Sequence, residues 1–102
     1  MMFKIHVCPH EKHVIIETEQ GHKIRLEDTG KRILIQDYNG NKVEWDTPSN
    51  NISSVAQNNI NETASNNINE VAGSSINQNA GSSINGTAGG SINYKAPVIN
   101  LN

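Results

Sequence analysis

The chain has 102 residues, a formal net charge of −2, four aromatic residues and a hydrophobic fraction of only 34%. Globular domains usually contain about 45–50% apolar residues, so a chain this short and polar is not expected to bury a sufficient core alone. A compact monomeric enzyme is therefore disfavoured, which leaves disorder, a repetitive fold or an obligate oligomer. The near-zero charge gives no reason to expect nucleic acid or an anionic membrane as a partner. No apolar run near the N-terminus predicts a signal peptide.

The first segment, residues 1–13, carries a cluster of side chains that commonly bind metals: His6, Cys8, His10 and His13. These residue types suit zinc or another transition metal, but the spacing is not that of a standard Cys₂His₂ or CxxC site. We therefore assign no metal site, and favour a polar segment with incidental histidines over the metal alternative. The chain has one cysteine, so the sequence contains no intrachain disulfide.

Residues 14–48 contain a strand-turn unit that occurs twice, 19 residues apart. Gly21 aligns with Gly40, and the strict alternation in 23–27 and 42–46 predicts half-buried strands. Turn dipeptides such as Asn39-Gly40 separate the apolar runs. The inward-facing residues predicted for this part of the chain are Ile24, Leu26, Val43 and Trp45.

Composition changes abruptly near Pro48. Residues 47–102 contain three of the eighteen charged side chains and fourteen asparagines, a composition that by itself indicates disorder. An eight-residue repeat argues against that interpretation. Isoleucine recurs in six consecutive octads, and alanine follows each isoleucine by four residues; the predicted core layers are Ile52, Ala56, Ile60, Ala64, Ile68, Ala72, Ile76, Ala80, Ile84, Ala88, Ile92 and Ala96.

The period of eight favours β structure over α-helix. Eight residues at about 100° each overshoot two helical turns by about 80°, so helical isoleucines would spiral around the axis. Eight is a multiple of the two-residue period of a strand, so isoleucine and alanine fall on one face in every octad. The Gly and Ser residues that follow most of the alanines are expected to supply a bend between successive strands.

One isoleucine and one alanine per octad cannot form a core within a single strand. Three such faces close a prism, contributed either by three octads of one chain or by three chains. The single-chain solution would give only two coils from six octads, with little stacking between them. We therefore predict an all-β, intertwined homotrimeric β-helix, with the wider prism in 14–48 and the octad needle in 49–97.

The motifs Gly-His-Lys-Ile-Arg-Leu-Glu-Asp at 21–28 and Gly-Asn-Lys-Val-Glu-Trp-Asp at 40–46, followed by octads, resemble the shaft of contractile-injection spikes. That family comprises the valine-glycine repeat spike of type VI secretion and the central puncturing spike of contractile-tail phages. The octads here use Ile and Ala instead of a dominant valine. The resemblance implies a trimer without catalysis in this segment, mounted on tail-tube or hub proteins at its N-terminal side. Residues 1–13 would then be a hub adaptor or a disordered leader.

The C-terminal residues 98–102 break the octad register. Pro97, Val98, Ile99 and Leu101 form a compact apolar ending, and Pro97 cannot donate a hydrogen bond to a sheet. In the family, the blunt end of such a shaft often carries a conical tip protein of the PAAR-repeat type, so these residues are expected either to dock that protein or only to plug the last layer.

The function expected from the sequence is mechanical: the needle of a contractile apparatus that contacts and punctures a target envelope. We expect no enzymatic activity and no cofactor, apart from a possible axial ion. Assembly is expected in the cytoplasm, followed by location in a virion tail or secretion through the apparatus. The alternative is a trimeric fibre or adhesin shaft that binds a surface at its distal end. An ice-binding solenoid is disfavoured because the chain lacks a regular Thr-x-Thr ladder.

Overall fold

The computed structural model describes residues 3–100. Six five-residue strands form one sheet in which each strand pairs antiparallel with the next along the chain. The strands are β1 (Lys4–Cys8), β2 (His13–Glu17), β3 (Lys23–Glu27), β4 (Arg32–Gln36), β5 (Lys42–Asp46) and β6 (Asn51–Val55). The described residues contain no helix, which confirms the prediction of an all-β chain.

The 19-residue unit occurs three times, once more than the sequence pattern had indicated. β1, β3 and β5 begin at Lys4, Lys23 and Lys42, and their hairpin partners β2, β4 and β6 also begin 19 residues apart. β1 lies within the segment 1–13, where it pairs with β2 from Lys4↔Glu17 to Cys8↔His13. β6 lies within the predicted octad region, so the sheet includes Ile52 as well.

The turns follow the same 19-residue period. At one end of the strands, four-residue loops place Lys12, Lys31 and Asn50 at φ of 57°, 53° and 59°, the left-handed geometry that closes loops of this length. At the other end of the strands, the turns contain Gly21 at φ 99° and Gly40 at φ 90°. A side chain is strained at such φ values, which explains why the aligned glycines are present.

A carboxylate reinforces the second glycine turn. The Asp37 carboxylate accepts hydrogen bonds from the backbone amides of Asn39 and Asn41, both at 2.9 Å. The Asn41 side-chain amide donates a third at 2.7 Å. These bonds favour the charged form and lower the pKa of Asp37, the bond from the Asn41 side chain most of all.

The octad segment has a different organisation. The chain divides into two units between Thr63 and Ala64. Within the described residues 56–100 there is no strand, but bends recur at 57–58, 65–66, 73–74, 81–82, 89–90 and 97. Each bend immediately follows an alanine of the octad series, which is the position predicted for the bends, but the strands predicted between them are not formed in the single chain.

Candidate assembly surface and metal-ligand cluster

One face of the sheet is built from hydrophobic side chains on all six strands. The pairing register of the strands places these side chains on one face, because residues paired across an antiparallel sheet project to the same side. Ile16 pairs with Ile24, Ile24 with Ile35 and Ile35 with Val43, so one apolar row crosses the sheet. We call the full set the apolar face: Ile5, Val7, Val14, Ile16, Ile24, Leu26, Ile33, Ile35, Val43, Trp45 and Ile52.

On β2, β3 and β4 the apolar face is more exposed than the opposite face of the sheet. Ile24 is 40% exposed, Ile35 46% and Ile52 67%, and no second layer of strands or helices within the described residues 3–63 covers them. An antiparallel sheet normally buries its apolar side and leaves the polar side in water. The inversion here means that the surface which would form the core lacks its partner in the single chain.

The opposite side of the sheet, which we call the charged face, carries long charged side chains that cover one another: Lys23, Arg25, Glu27, Arg32, Lys42 and Glu44. Arg32 donates to both carboxylate oxygens of Glu27, at 3.1 and 3.3 Å, and to Glu44 at 3.2 Å. The hydrogen bond to Glu27 is the largest cause of the raised pKa of Arg32. Leu34 pairs in register with Arg25 and Glu44 and is 4% exposed, the one buried hydrophobic residue among those described.

The structure brings the four core residues predicted in the first half onto one face. Ile24 and Leu26 on β3 and Val43 and Trp45 on β5 all belong to the apolar face, connected through Ile33 and Ile35 of the intervening β4. Sequence reasoning did not assign the residues of β1, β2 and β4 to this face. The period-two alternation of β4, Arg32–Gln36, is hidden because Leu34 makes its three central residues uniformly apolar.

Within the octads the isoleucines are about half-exposed, and the two residues that flank each of the last three isoleucines are hydrogen-bonded to each other. Ile68, Ile76, Ile84 and Ile92 are 52–61% exposed. The side chain of Asn77 donates to the Ser75 hydroxyl at 3.4 Å, and the same Asn-to-Ser bond recurs around Ile84 and Ile92. Since residues i−1 and i+1 of an extended chain share a side, the isoleucines project away from this polar pair.

The ligand-type side chains near the N-terminus are partly brought together. His6, Cys8 and His13 place one ligand atom each within 4.8 Å of one another, while His10 is outside this group. His6 and Cys8 are two residues apart on β1 and so share a face, and Cys8 lies directly opposite His13 on β2.

The C-terminal residues predicted to dock a tip protein are exposed where the structure describes them. Val98 and Ile99 are 69% and 51% exposed after the bend at Pro97, and Leu101 lies outside the described residues.

Among the described residues, no helix is long and apolar enough to cross a membrane. No family model matches the chain, and no curated protein is significantly similar to it.

Proposed function

We propose that three copies of this chain assemble into an intertwined homotrimeric β-helix that serves as the spike, or needle, of a contractile injection apparatus. The observation that carries the proposal is the uncovered apolar face of the sheet. Six five-residue strands at ordinary spacings present a footprint of about 400 Å², comparable to the largest apolar patch of a typical monomer, which is often functional. Covering eleven such side chains, about half-exposed on average, contributes roughly 1 kcal/mol each, or about 10 kcal/mol per chain.

The occupant that suits this surface is another copy of the same chain. The apolar face carries no charged residue from β1 to β5, so it offers no pattern for a complementary charged partner. Its last row ends on Ile52, the first isoleucine of the octad series. A surface that continues into an internal repeat is expected to pack against the same surface of identical subunits.

The backbone of the octads supports a closed assembly. Extended residues need partners for their amide and carbonyl groups, and within the described residues 58–100 no backbone–backbone hydrogen bond forms. Three chains around an axis give every extended segment a neighbour on both sides and leave no open sheet edge. The isoleucine and alanine layers would then alternate along the axis, with Asn and Ser outside.

The mechanical role follows from this arrangement and from the resemblance to injection spikes. In the octad segment, continuous ladders between three chains would resist bending and extraction, because removing one chain breaks hydrogen bonds with both others. In this proposal, tail-tube or hub proteins hold the N-terminal side, a conical tip protein seats on Val98 and Ile99, and the particle leaves the cytoplasm with its apparatus. The polar exterior lets the needle cross a target envelope without adhering to it.

Two measurements test the two parts of the proposal separately. The purified full chain should migrate as a trimer that resists SDS at room temperature and dissociates on boiling; a monomer at micromolar concentration contradicts the assembly. Mass spectrometry of sedimented sheath and tail-tube particles from the source cells or lysate should detect the chain. A trimer found only outside such particles contradicts the injection role and favours the fibre alternative.

A further inference from the structure

We propose that His6, Cys8 and His13 form a zinc-binding site on the charged face of the β1–β2 hairpin. This site is independent of the apolar face and of the injection role. One thiolate and two imidazoles are a ligand set that zinc prefers, and solvent would occupy the fourth tetrahedral position.

The hairpin register brings the three ligands together. His6 and Cys8 alternate with Val7 on one strand, and Cys8↔His13 is the last pair before the loop. The His6 and His13 rings are 5.1 Å apart between centroids and tilted by 36°. Ligands of a tetrahedral zinc ion lie about 3.5 Å from one another, so side-chain rotations of about 1 Å close the 4.8 Å cluster around an ion.

One ring nitrogen of His13 lies near a carboxylate, and the other is buried without a partner. Its Nδ1 lies 3.6 Å from a carboxylate oxygen of Glu11. Its Nε2 is inaccessible to solvent and has no hydrogen-bond partner. A buried polar atom without a partner is costly in a folded protein, and a metal ion would satisfy it. A carboxylate on the other ring nitrogen is the usual arrangement around zinc-bound histidine, because it fixes the tautomer and the ring orientation.

Cys8 accepts a hydrogen bond from the same residue, Glu11. The backbone amide of Glu11 donates to Cys8 Sγ at 3.4 Å, which holds the sulfur in place beside the two histidines. Binding releases the thiol proton to solvent. Glu11 thus lies beside two of the three ligands: its amide donates to Cys8, and its carboxylate is 3.6 Å from His13.

The test is titration of the reduced full chain with Zn²⁺, and with Co²⁺ as an optical probe. We expect one ion per chain, a near-ultraviolet thiolate-to-cobalt charge-transfer band, and displacement of Co²⁺ by Zn²⁺. Cys8→Ser should abolish that band and weaken zinc binding by more than about 100-fold, and Glu11→Gln should weaken it by about 10- to 100-fold. His10→Ala, a matched control outside the cluster, should bind as the wild type does.

Several results would overturn the site. These are wild-type chain that binds no zinc, equal affinity in Cys8→Ser, or an equal loss of affinity in His10→Ala and His13→Ala. Far-ultraviolet circular dichroism checks that each variant keeps its sheet. Alkylation of Cys8 in the wild-type chain gives a readout that needs no variant: Zn²⁺ should slow the reaction with iodoacetamide, and an unchanged rate contradicts the proposal.

Discussion

Replacing Ile35 by Asp places a charge in the middle of the apolar face. Ile35 lies on β4 between Ile24 of β3 and Val43 of β5, and 46% of it is exposed in the single chain. In the monomer the change is therefore modest, about 1 kcal/mol of partial burial. In the proposed trimer it places three carboxylates in the interior, and each costs several kcal/mol to desolvate. The total, on the order of 10 kcal/mol per trimer, corresponds to about seven powers of ten in the association constant.

The neighbouring position supplies a control with the same introduced side chain. Gln36 is on the charged face and pairs in register with Lys23 and Lys42, so Gln36→Asp adds a carboxylate between two lysines. Sedimentation equilibrium should show a trimer for Gln36→Asp and a monomer for Ile35→Asp at micromolar concentration. The reasoning is refuted if Ile35→Asp remains trimeric, or if both variants dissociate alike.

Three further predictions concern the stability of the sheet. Gly40→Ala should lower the melting temperature, since φ 90° strains an L-residue by about 1 kcal/mol or more. The control Gly73→Ala should leave the melting temperature unchanged, because a Cβ at this position meets no atom within 4 Å. Equal effects of the two substitutions would contradict this reasoning. Arg32→Met should cost roughly 1–2 kcal/mol in urea unfolding, because Glu27 and Glu44 lose their shortest ion pairs and keep only the longer contacts with Arg25 and Lys42. The variant should also lose less stability than the wild type when salt is added; an equal salt dependence would argue against the Arg32 ion pairs. Folding lowers the pKa of Asp37, so the stabilisation from its carboxylate is present above the unfolded pKa and is lost as pH falls through the folded pKa. The difference in melting temperature between the wild type and Asp37→Asn should therefore shrink in acid. A difference that stays constant with pH would contradict this reasoning.

The features predicted from the sequence were those with a strict local period. The alternation in Lys23–Glu27 and Lys42–Asp46 predicts strands because each has two apolar residues on one side and charges on the other. Gly21 and Gly40 are visible because only glycine tolerates their φ without strain. The bends after each octad alanine were predicted from the same kind of repetition.

The features that sequence reasoning missed depend on pairing between strands. β1 repeats the pattern of β3 as Lys-Ile-His-Val-Cys, but Met2 stands where Gly21 and Gly40 mark the later turns, so the third copy was not recognised. The sequence shows the ligand types of His6, Cys8 and His13 but does not assign a metal site, because their linear spacing fits no standard site. Only the Cys8↔His13 register brings the three ligands together. The burial of Leu34 depends on long side chains from two neighbouring strands, which no local pattern encodes.

The central claim is that the apolar face is an assembly surface for identical chains. Multi-angle light scattering of the purified full chain during size-exclusion chromatography tests it most directly. The account predicts a single species with three times the 11.1 kDa mass of one chain, stable on dilution to micromolar concentration. A monomer under those conditions would contradict the claim, since the apolar face would then remain in water.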